Sequence, residues 1–291
     1  MNKWIARLAL APAAIVAFGV FIGCLAYTLA LSFTSSRMLP RFEWVGFEQY
    51  EKLFASSRWQ VSVENLFLFG TVYIVACLLL GYVLAVLIDQ KVRGETLLRT
   101  IYLSPHALSL VVTGLVWSWF LNPQFGLQAF VQELGFENFR FAWLSDPKMA
   151  IHAVTLTAVW RGTGIVMILM LAGLRGVDAE MIKSLRVDGV PKWRIYTQVI
   201  PPILTPMILT SLVLLAAGVI NSYDLVVALT RGGPGISTQV PALFVMEHFF
   251  ARGDVGVATA GAAIMLLSLI VVAGPLILWR RIASRRQEAA Q

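Results

Sequence analysis

Residues 183–206 read KSLRVDGVPKWRIYTQVIPPILTP and lie between two strongly apolar stretches of the chain. The segment contains five charged residues, an Asp-Gly pair and four prolines. Charged and turn-forming residues do not sit in hydrocarbon. The segment therefore predicts a place where the chain leaves a membrane and enters it again.

The composition favours a lipid environment. Hydrophobic residues make up 58% of the chain and charged residues 13%, and the mean hydropathy is +0.76. A membrane-spanning helix needs about 20 mostly apolar residues. Six segments reach that length: 8–33, 66–88, 101–121, 150–174, 203–229 and 255–279. Buried helices of a soluble protein are the alternative, but six of them in 291 residues would leave too little polar surface to cover them. We predict an all-α membrane protein with six transmembrane helices.

Basic residues predict the orientation of these spans. Fourteen of the 23 fall on one side, namely Lys3, Arg7, Lys91, Arg93, Arg99, Arg175, Lys183, Arg186, Lys192, Arg194, Arg280, Arg281, Arg285 and Arg286. Loops rich in lysine and arginine stay in the cytoplasm. Both termini are therefore predicted to be cytoplasmic. Topology explains the basic pI, and no nucleic acid partner is needed.

Several chemical functions are not indicated. Cys24 and Cys77 lie within apolar spans, and the three histidines have no ligand spacing, so we predict neither a disulfide nor a metal site. The glycine-rich GGPG at 232–235 is not followed by Gly-Lys-Ser/Thr, so it is no phosphate-binding loop. We predict no enzymatic activity and no cofactor. Energy for transport would come from a partner or from ions.

Residues 178–187 of the opening region predict a short helix with Met181, Ile182 and Leu185 on one face. The Asp188-Gly189 pair ends that helix, and Pro191 suits the start of another. An exposed apolar face at the membrane surface favours docking into a cytoplasmic groove of a partner. A solvated connecting loop remains the alternative.

The same loop resembles the EAA motif of permeases from ATP-binding-cassette (ABC) importers. Asp188, Gly189, Tyr196, Pro202 and Pro206 match the motif at its spacing. The match departs from the motif at 183–185, where Lys-Ser-Leu replaces Glu-Ala-Ala, and at position 190, where valine replaces alanine.

Further matches are similar to the carbohydrate-type, MetI-like branch of this family. They are SPHALSLVVTGLVWSWFLNPQFG at 104–126, YDLVVALTRGGPGIST at 223–238, and ALSFTSS and VGFEQYEKLF nearer the start. The resemblance implies a type I importer fold with a cytoplasmic coupling helix, in the inner membrane of a bacterium or archaeon. It also implies an N-terminal tail, first helix and outer loop at 1–65, a permease core at 66–280, and a basic tail at 281–291.

The resemblance implies partners and a function as well. The chain would form the pathway for a sugar or related polyhydroxy solute. Its partners would be a second, different permease subunit, two ATPase subunits or domains, and an extracytoplasmic solute-binding protein. In the coupling helix, Asp188 and Gly189 would shape the joint, while Met181, Ile182 and Leu185 would fill the ATPase groove. Lys183 and Arg186 would be rim charges, and Ser184 would belong to the same coupling surface.

Polar residues at membrane depth are candidates for the solute pathway, because burying them is costly. These are Asn221, Ser222, Tyr223 and Asp224 in the fifth span, and Arg161 in the fourth. Arg161 has an alternative role, pairing with Asp224 or with a backbone carbonyl to hold helices together. Trp117 offers a flat face to a sugar ring, or else anchors its helix at the interface.

Two other classes of function remain open. An ion-coupled secondary transporter would have repeated halves and several carboxylates within its spans, whereas only Asp224 lies near a span end and no repeat is evident. A structural membrane subunit would leave the cytoplasmic motif without a role.

Overall fold

The computed structural model describes residues 3–90 and 92–288. Lys91, counted above among the basic residues, and residues 289–291 of the predicted basic tail lie outside the described residues. The helices are α1 (Lys3–Leu31), α2 (Glu48–Ala55), α3 (Ser57–Asp89), α4 (Glu95–Ala107), α5 (Leu110–Phe120), α6 (Leu127–Glu133), α7 (Ala150–Arg175), α8 (Ala179–Val187), α9 (Lys192–Arg194), α10 (Ile200–Ile203), α11 (Thr205–Ile220), α12 (Tyr223–Leu229), α13 (Pro241–Met246) and α14 (Val255–Glu288), with π-helical turns at Ile195–Val199 and Glu247–Ala251. In the described residues only two isolated bridges have β geometry. The all-α prediction is confirmed.

Three helices are long and apolar enough to cross a membrane, namely α1, α3 and α7. Two pairs, α4 with α5 and α9–α10 with α11, reach that length together but are sharply bent. Counting each bent pair as one span gives up to five spans among the described residues. Several membrane-crossing helices are thus confirmed, and the count of six stays a prediction.

The first bend, of 100°, falls between α4 and α5 inside the predicted third span. Pro105 has no N–H to donate within its helix, and Leu108 has an extended backbone. The side chain of Ser109 then caps α5 by accepting from the N–H of Val112 at 3.2 Å. These local features therefore interrupt the helix within a segment that hydropathy predicts as one continuous span.

The second bend, of 70°, falls at Leu204 between α10 and α11. Pro202 and Pro206 flank it, and Pro206 has no N–H to donate to the Pro202 carbonyl as a continuous helix would require, so that carbonyl accepts from Thr205 Oγ1 at 2.7 Å instead. Leu204 itself is 2% exposed. The bend therefore lies within the hydrophobic core.

The chain divides into two compact units, one formed by the described residues up to Gln60 with Pro241–Ser268, the other by Val61–Val240 with the described residues from Leu269 onward. In the second unit, α3, α7, the π-helical turn at 195–199 and α10 share one hydrophobic core. Close helix approaches need glycine there. A Cβ at Gly164 would collide with the backbone of Tyr102 and Leu103 in α4, and one at Gly81 would meet Val166 at 2.6 Å.

In the other unit, the ring of Trp59 packs edge-on against Phe244, with centroids 5.2 Å apart. The imidazole of His248 stacks on the same phenyl ring and donates from Nδ1 to the Phe244 carbonyl at 3.0 Å. Its Nε2 accepts from Arg252 Nη1 at 3.3 Å. Burial lowers the pKa of His248, which keeps the ring neutral in this arrangement.

Candidate coupling segment and solute pathway

The predicted coupling helix is α8, and both of its ends have specific caps. At its start the Asp178 carboxylate accepts from the N–H of Glu180 at 2.8 Å. At its end Gly189 takes φ +78°, a left-handed geometry that favours glycine. Its N–H donates to the Arg186 carbonyl at 3.2 Å, and the N–H of Val190 donates to Leu185 at 3.0 Å. These two bonds form a Schellman motif, so the predicted turn at Asp188-Gly189 is present in the structure.

The faces of α8 differ in their surroundings. Ile182 and Leu185 are partly buried and pack with Val190 against the core of their own unit. Met181 is half-buried, whereas Lys183, Ser184, Arg186, Val187 and Asp188 are exposed. Ile182 and Leu185 therefore expose less side-chain surface to a partner than the sequence predicted, because they pack within the chain.

Apolar groups other than the predicted ones face outward in this region. Val187 is 87% exposed and Trp193 is 63% exposed. We define the outward face of α8 as Lys183, Ser184 and Val187. Sequence periodicity missed Val187 because it lies outside the stripe formed by Met181, Ile182 and Leu185.

The segment after α8 is fixed to α3. The hydroxyl of Tyr82 donates to the backbone carbonyl of Tyr196, and Gln90 Nε2 donates to the Tyr196 hydroxyl at 3.0 Å. Ile195 and Ile200 on either side are 1% and 0% exposed. Tyr196 belongs to the matched motif, but no local signal marks Tyr82 or Gln90 as its partners. Hydrogen bonds and buried side chains therefore join the segment after α8 to α3.

Four charged residues join the ends of α3, α4 and α7 beside this segment. Arg175 Nη2 lies 2.6 Å from Glu95 Oε1, and its Nε lies 4.0 Å from Asp89 Oδ1. Arg99 pairs with the same Glu95 carboxylate. Sequence reasoning missed this cluster because its members lie up to 86 residues apart, from Asp89 to Arg175. The four side chains stay partly exposed, so the ion pairs are weakened by solvent.

Arg161 lies on α7 opposite the bend between α4 and α5. Its Nη2 donates to the carbonyls of His106 and Leu108, both at 3.3 Å, and its Nε donates to Leu108 at 3.4 Å. These carbonyls lack helical partners because the helix is interrupted there. The structure therefore selects the backbone-carbonyl alternative over a pair with Asp224, and no ion pair joins Arg161 to Asp224 in the part of the chain described.

The predicted pathway residues 221–224 lie at another interruption, between α11 and α12. Asn221 and Asp224 are exposed and Tyr223 is half-buried, while Ser222 is 3% exposed. The hydroxyl of Ser222 has no hydrogen-bond partner among the described residues. At this break Asn221 and Asp224 are therefore accessible to a partner, whereas the Ser222 hydroxyl is enclosed by the chain itself.

α12 is held closely to α5, which carries the remaining candidate. A Cβ at Gly114 would lie 2.5 Å from Cβ of Ala228, so the two helices approach almost to backbone contact. The Trp117 ring packs edge-on against Trp160 and Phe120, with centroids 5.6 and 5.5 Å away. Trp117 thus contacts α7 through the ring of Trp160. Across the described residues no hydrogen bond or ring contact links Trp117 to residues 221–224.

The loop after α12 is tightly bonded. The hydroxyls of Thr230 and Thr238 lie 2.7 Å apart, and Thr238 also donates to the Gly233 carbonyl at 3.0 Å. Asn65 Nδ2 donates to the carbonyls of Ser237 and Gln239 at 3.0 and 2.9 Å. The segment that matched in sequence at 230–238 is therefore a structured loop. Within the described residues, no group of three His, Cys, Asp or Glu side chains is placed to hold a metal ion.

Comparison with known proteins gives concordant matches. Residues 78–284 match the family model of the binding-protein-dependent transport system inner membrane component. A probable ABC transporter permease protein of Pyrococcus horikoshii is 35% identical over 269 residues, covering 91% of this chain and 92% of the relative. The xylose/arabinose import permease protein XacH of Haloferax volcanii is 30% identical over 268 residues, covering 91% and 84%.

A solved structure has the same fold. It is a bacterial alginate ABC transporter in complex with an alginate pentasaccharide-bound periplasmic protein. The matched chain has a TM-score of 0.80 at 21% identity, covering 98% of this chain and 95% of that one.

Proposed function

Because the chain belongs to the family of binding-protein-dependent transport system inner membrane components, we propose that it forms the translocation pathway of an ABC importer as a permease subunit. The observation that carries the proposal is the capped helix α8, whose end at Gly189 is fixed by a Schellman motif. A surface helix held rigidly on the membrane core is the element that an ATPase subunit needs to move the spans. The chain itself is a transport subunit, and ATP is hydrolysed by a partner.

The proposed solute is a sugar or related polyhydroxy compound. Support comes from the relative named for xylose and arabinose import and from the fold shared with an alginate transporter. Asn221 and Tyr223 would bond sugar hydroxyls at the break between α11 and α12. Aromatic rings stack on apolar sugar faces, and Trp117 beside Trp160 would serve in this way.

The proposed assembly has four kinds of subunit. They are this chain, a second and different permease, two ATPase subunits or domains, and an extracytoplasmic solute-binding protein. The shared fold with a transporter in complex with a periplasmic protein supports the last of these. The outward face of α8, with Asp188 and Gly189 shaping its end, would dock on the ATPase.

The proposed mechanism uses two conformations biased by nucleotide and by loaded binding protein. ATP binding would move α8, and the contacts of Ile195 and Tyr196 with the core would carry that movement to α3 and α7. Arg161 on α7 holds the bend between α4 and α5. A shift of α7 would thus reposition α5 and open the pathway outward. Hydrolysis would return it inward.

The proposed orientation places α8 and both termini in the cytoplasm. Ser184 and Ser57 are both exposed, so each accepts a reporter cysteine in a Cys24→Ser, Cys77→Ala background. We expect Ser184→Cys to react with an impermeant thiol reagent only in opened vesicles and Ser57→Cys to react in intact cells. The reverse pattern would overturn the orientation.

The function is tested in sealed vesicles that contain the permease pair and the ATPase, with binding protein outside and ATP inside. We expect uptake of labelled pentose or oligosaccharide that stops without ATP or without binding protein. Uptake that follows an imposed ion gradient in the absence of ATP would favour the ion-coupled alternative. Complete absence of transport over a broad sugar panel, with intact assembly, would contradict the solute class.

A further inference from the structure

Asn65, in the third turn of α3, holds a loop that lies far along the chain. Its Nδ2 donates to the backbone carbonyls of Ser237 and Gln239 at 3.0 and 2.9 Å. The side-chain nitrogen of asparagine carries two hydrogens, so both of its donors are used on backbone oxygens. A carboxylate or an alkyl group of the same shape has no hydrogen to donate there. The attachment of the loop to α3 through position 65 therefore depends on the amide nitrogen.

The loop held by Asn65, residues 230–240, is enclosed and is hydrogen-bonded to itself. Thr238 and Gln239 are 0% and 2% exposed. The N–H of Thr238 donates to the Gly232 carbonyl at 3.2 Å, and its hydroxyl lies 3.0 Å from the Gly233 carbonyl oxygen. Buried groups that are bonded in this way cannot rearrange without leaving donors or acceptors unpaired. The loop is therefore expected to move as one piece when its attachment to α3 is lost.

The same loop is joined to the end of α12. The hydroxyl oxygen of Thr230, the residue after that helix, lies 2.7 Å from the Thr238 hydroxyl and 3.0 Å from the Val226 carbonyl oxygen. α12 has seven residues, which correspond to a length of about 10 Å. Tyr223 and Asp224, two candidates for the solute pathway, lie in its first turn. The loop therefore constrains the short helix that carries these two residues.

The other constraint on α12 comes from α5. A Cβ at Gly114 would lie 2.5 Å from Cβ of Ala228, so α12 cannot move closer to α5. This contact restricts α12 from one side, whereas the loop restricts it at its end. Without the Asn65 bonds, α12 would stay packed on α5 but would lose the constraint at its end.

We propose that Asn65 is a positioning residue for solute transport, because it holds the loop at 230–240 and thereby places α12. The proposal rests on the transport function proposed above and on the pathway role of residues 221–224. Asn65 acts through Thr238 and Thr230 and does not need to contact the solute.

Hydrogen exchange tests the attachment in the assembled complex. The change Asn65→Leu removes the donors and keeps the branched shape of the side chain. We expect the amides of residues 226–239 to exchange about five-fold faster, which is the ratio for the loss of one ordinary hydrogen bond, while those of α7 are unchanged. The control Gln60→Leu removes a bond of the same kind on α3, from Nε2 to the Phe54 carbonyl at 2.9 Å, and should leave exchange at 226–239 unchanged. Equal exchange at 226–239 in Asn65→Leu and wild type would overturn the proposal.

Solute uptake and ATP hydrolysis, measured in the same vesicles, test the role in transport. A variant that only reduces the number of intact complexes lowers both rates equally. Misplaced pathway residues lower uptake while stimulated hydrolysis continues, so we expect uptake per ATP to fall about five-fold in Asn65→Leu and to be unchanged in Gln60→Leu. An unchanged ratio in Asn65→Leu would overturn the positioning role. The exchange measurement needs no solute, so absence of uptake by the wild-type complex would contradict the proposed function and not the attachment.

A second variant weakens the same connection at the α12 end. The change Thr238→Val keeps the branched shape, removes the hydroxyl that lies between Thr230 and the Gly233 carbonyl, and leaves Asn65 intact. We expect uptake per ATP to fall as it does in Asn65→Leu. A normal ratio in Thr238→Val would overturn the connection through this hydroxyl. Failure of both variants to assemble would show that the contact is needed for folding, and this result would also overturn the positioning role.

Discussion

The coupling segment, residues 178–204, and the pathway break, residues 221–224, differ in whether their polar groups have hydrogen-bond partners within the chain. In the coupling segment the ends of α8 are capped, and Ile195 and Ile200 are buried in the core. At the pathway break Ser222 Oγ is buried without a hydrogen-bond partner in the part of the chain that the structure describes, and Asn221 and Asp224 are exposed. The coupling segment is thus fixed by hydrogen bonds and packing within the chain, whereas the break at 221–224 leaves polar groups exposed or without a partner among the described residues.

A substitution at the contact between α4 and α7 is expected to have the largest effect on assembly. This contact holds the bend between α4 and α5, to which Arg161 is hydrogen-bonded. The change Gly164→Ala places a Cβ against the backbone of Tyr102, which cannot move aside as a side chain would. Overpacking of this kind costs about 3 kcal/mol. We expect little assembled subunit by size-exclusion chromatography in detergent. The control Gly218→Ala, whose Cβ meets only Tyr73 Oη at 3.6 Å, should assemble normally.

Strain at Gly189 should uncouple the permease from the ATPase without unfolding the subunit. The change Gly189→Val forces a β-branched residue into left-handed geometry, at a cost of about 1–2 kcal/mol. We expect normal membrane insertion with reduced ATPase binding and loss of solute-stimulated ATP hydrolysis. The control Gly189→Asn tolerates this geometry and should retain both. Equal activity of the two variants would contradict the role of the turn.

Weakening the contact between α3 and the coupling segment should have a smaller effect on the coupling of ATP hydrolysis to transport. The change Tyr82→Phe removes the hydrogen bond to the Tyr196 carbonyl, worth about 1 kcal/mol. We expect more ATP hydrolysed per solute transported, with both quantities measured in the same vesicles. The control Tyr102→Phe removes a hydroxyl that has no hydrogen bond in the described structure. An unchanged ratio in Tyr82→Phe would show that force does not pass through this bond.

The smallest effect is expected at the ion-pair cluster, because its members are partly exposed. The change Glu95→Gln removes the shared partner of Arg99 and Arg175, at a cost of about 0.5–1 kcal/mol. We expect a lower unfolding temperature at low salt and a difference from wild type that shrinks at high salt. The control Glu48→Gln disrupts only the exposed pair with Lys52 and should change less. A salt-independent difference would contradict an electrostatic origin.

More of the coupling segment than of the solute pathway could be predicted from the sequence. Asp188-Gly189 and Pro202 act locally on the backbone, so the turn and the nearby bend could be expected from neighbouring residues alone. The bend at Leu108 falls in an apolar run, and hydropathy does not distinguish a bent pair from a straight span. The hydrogen bonds of Arg161 to the His106 and Leu108 carbonyls are tertiary contacts, which neighbouring residues in the sequence do not indicate. The partners of Tyr196 likewise come from a distant helix.

Photocrosslinking tests directly whether the outward face of α8 contacts the ATPase. A photoreactive benzophenone maleimide is attached to Val187→Cys in the Cys24→Ser, Cys77→Ala background, with Ser57→Cys as the exposed control on the predicted opposite side of the membrane. After illumination of the assembled complex, we expect an adduct with the ATPase subunit from position 187 and none from position 57. An intact complex without an adduct at position 187, or with one at position 57, would contradict the claim.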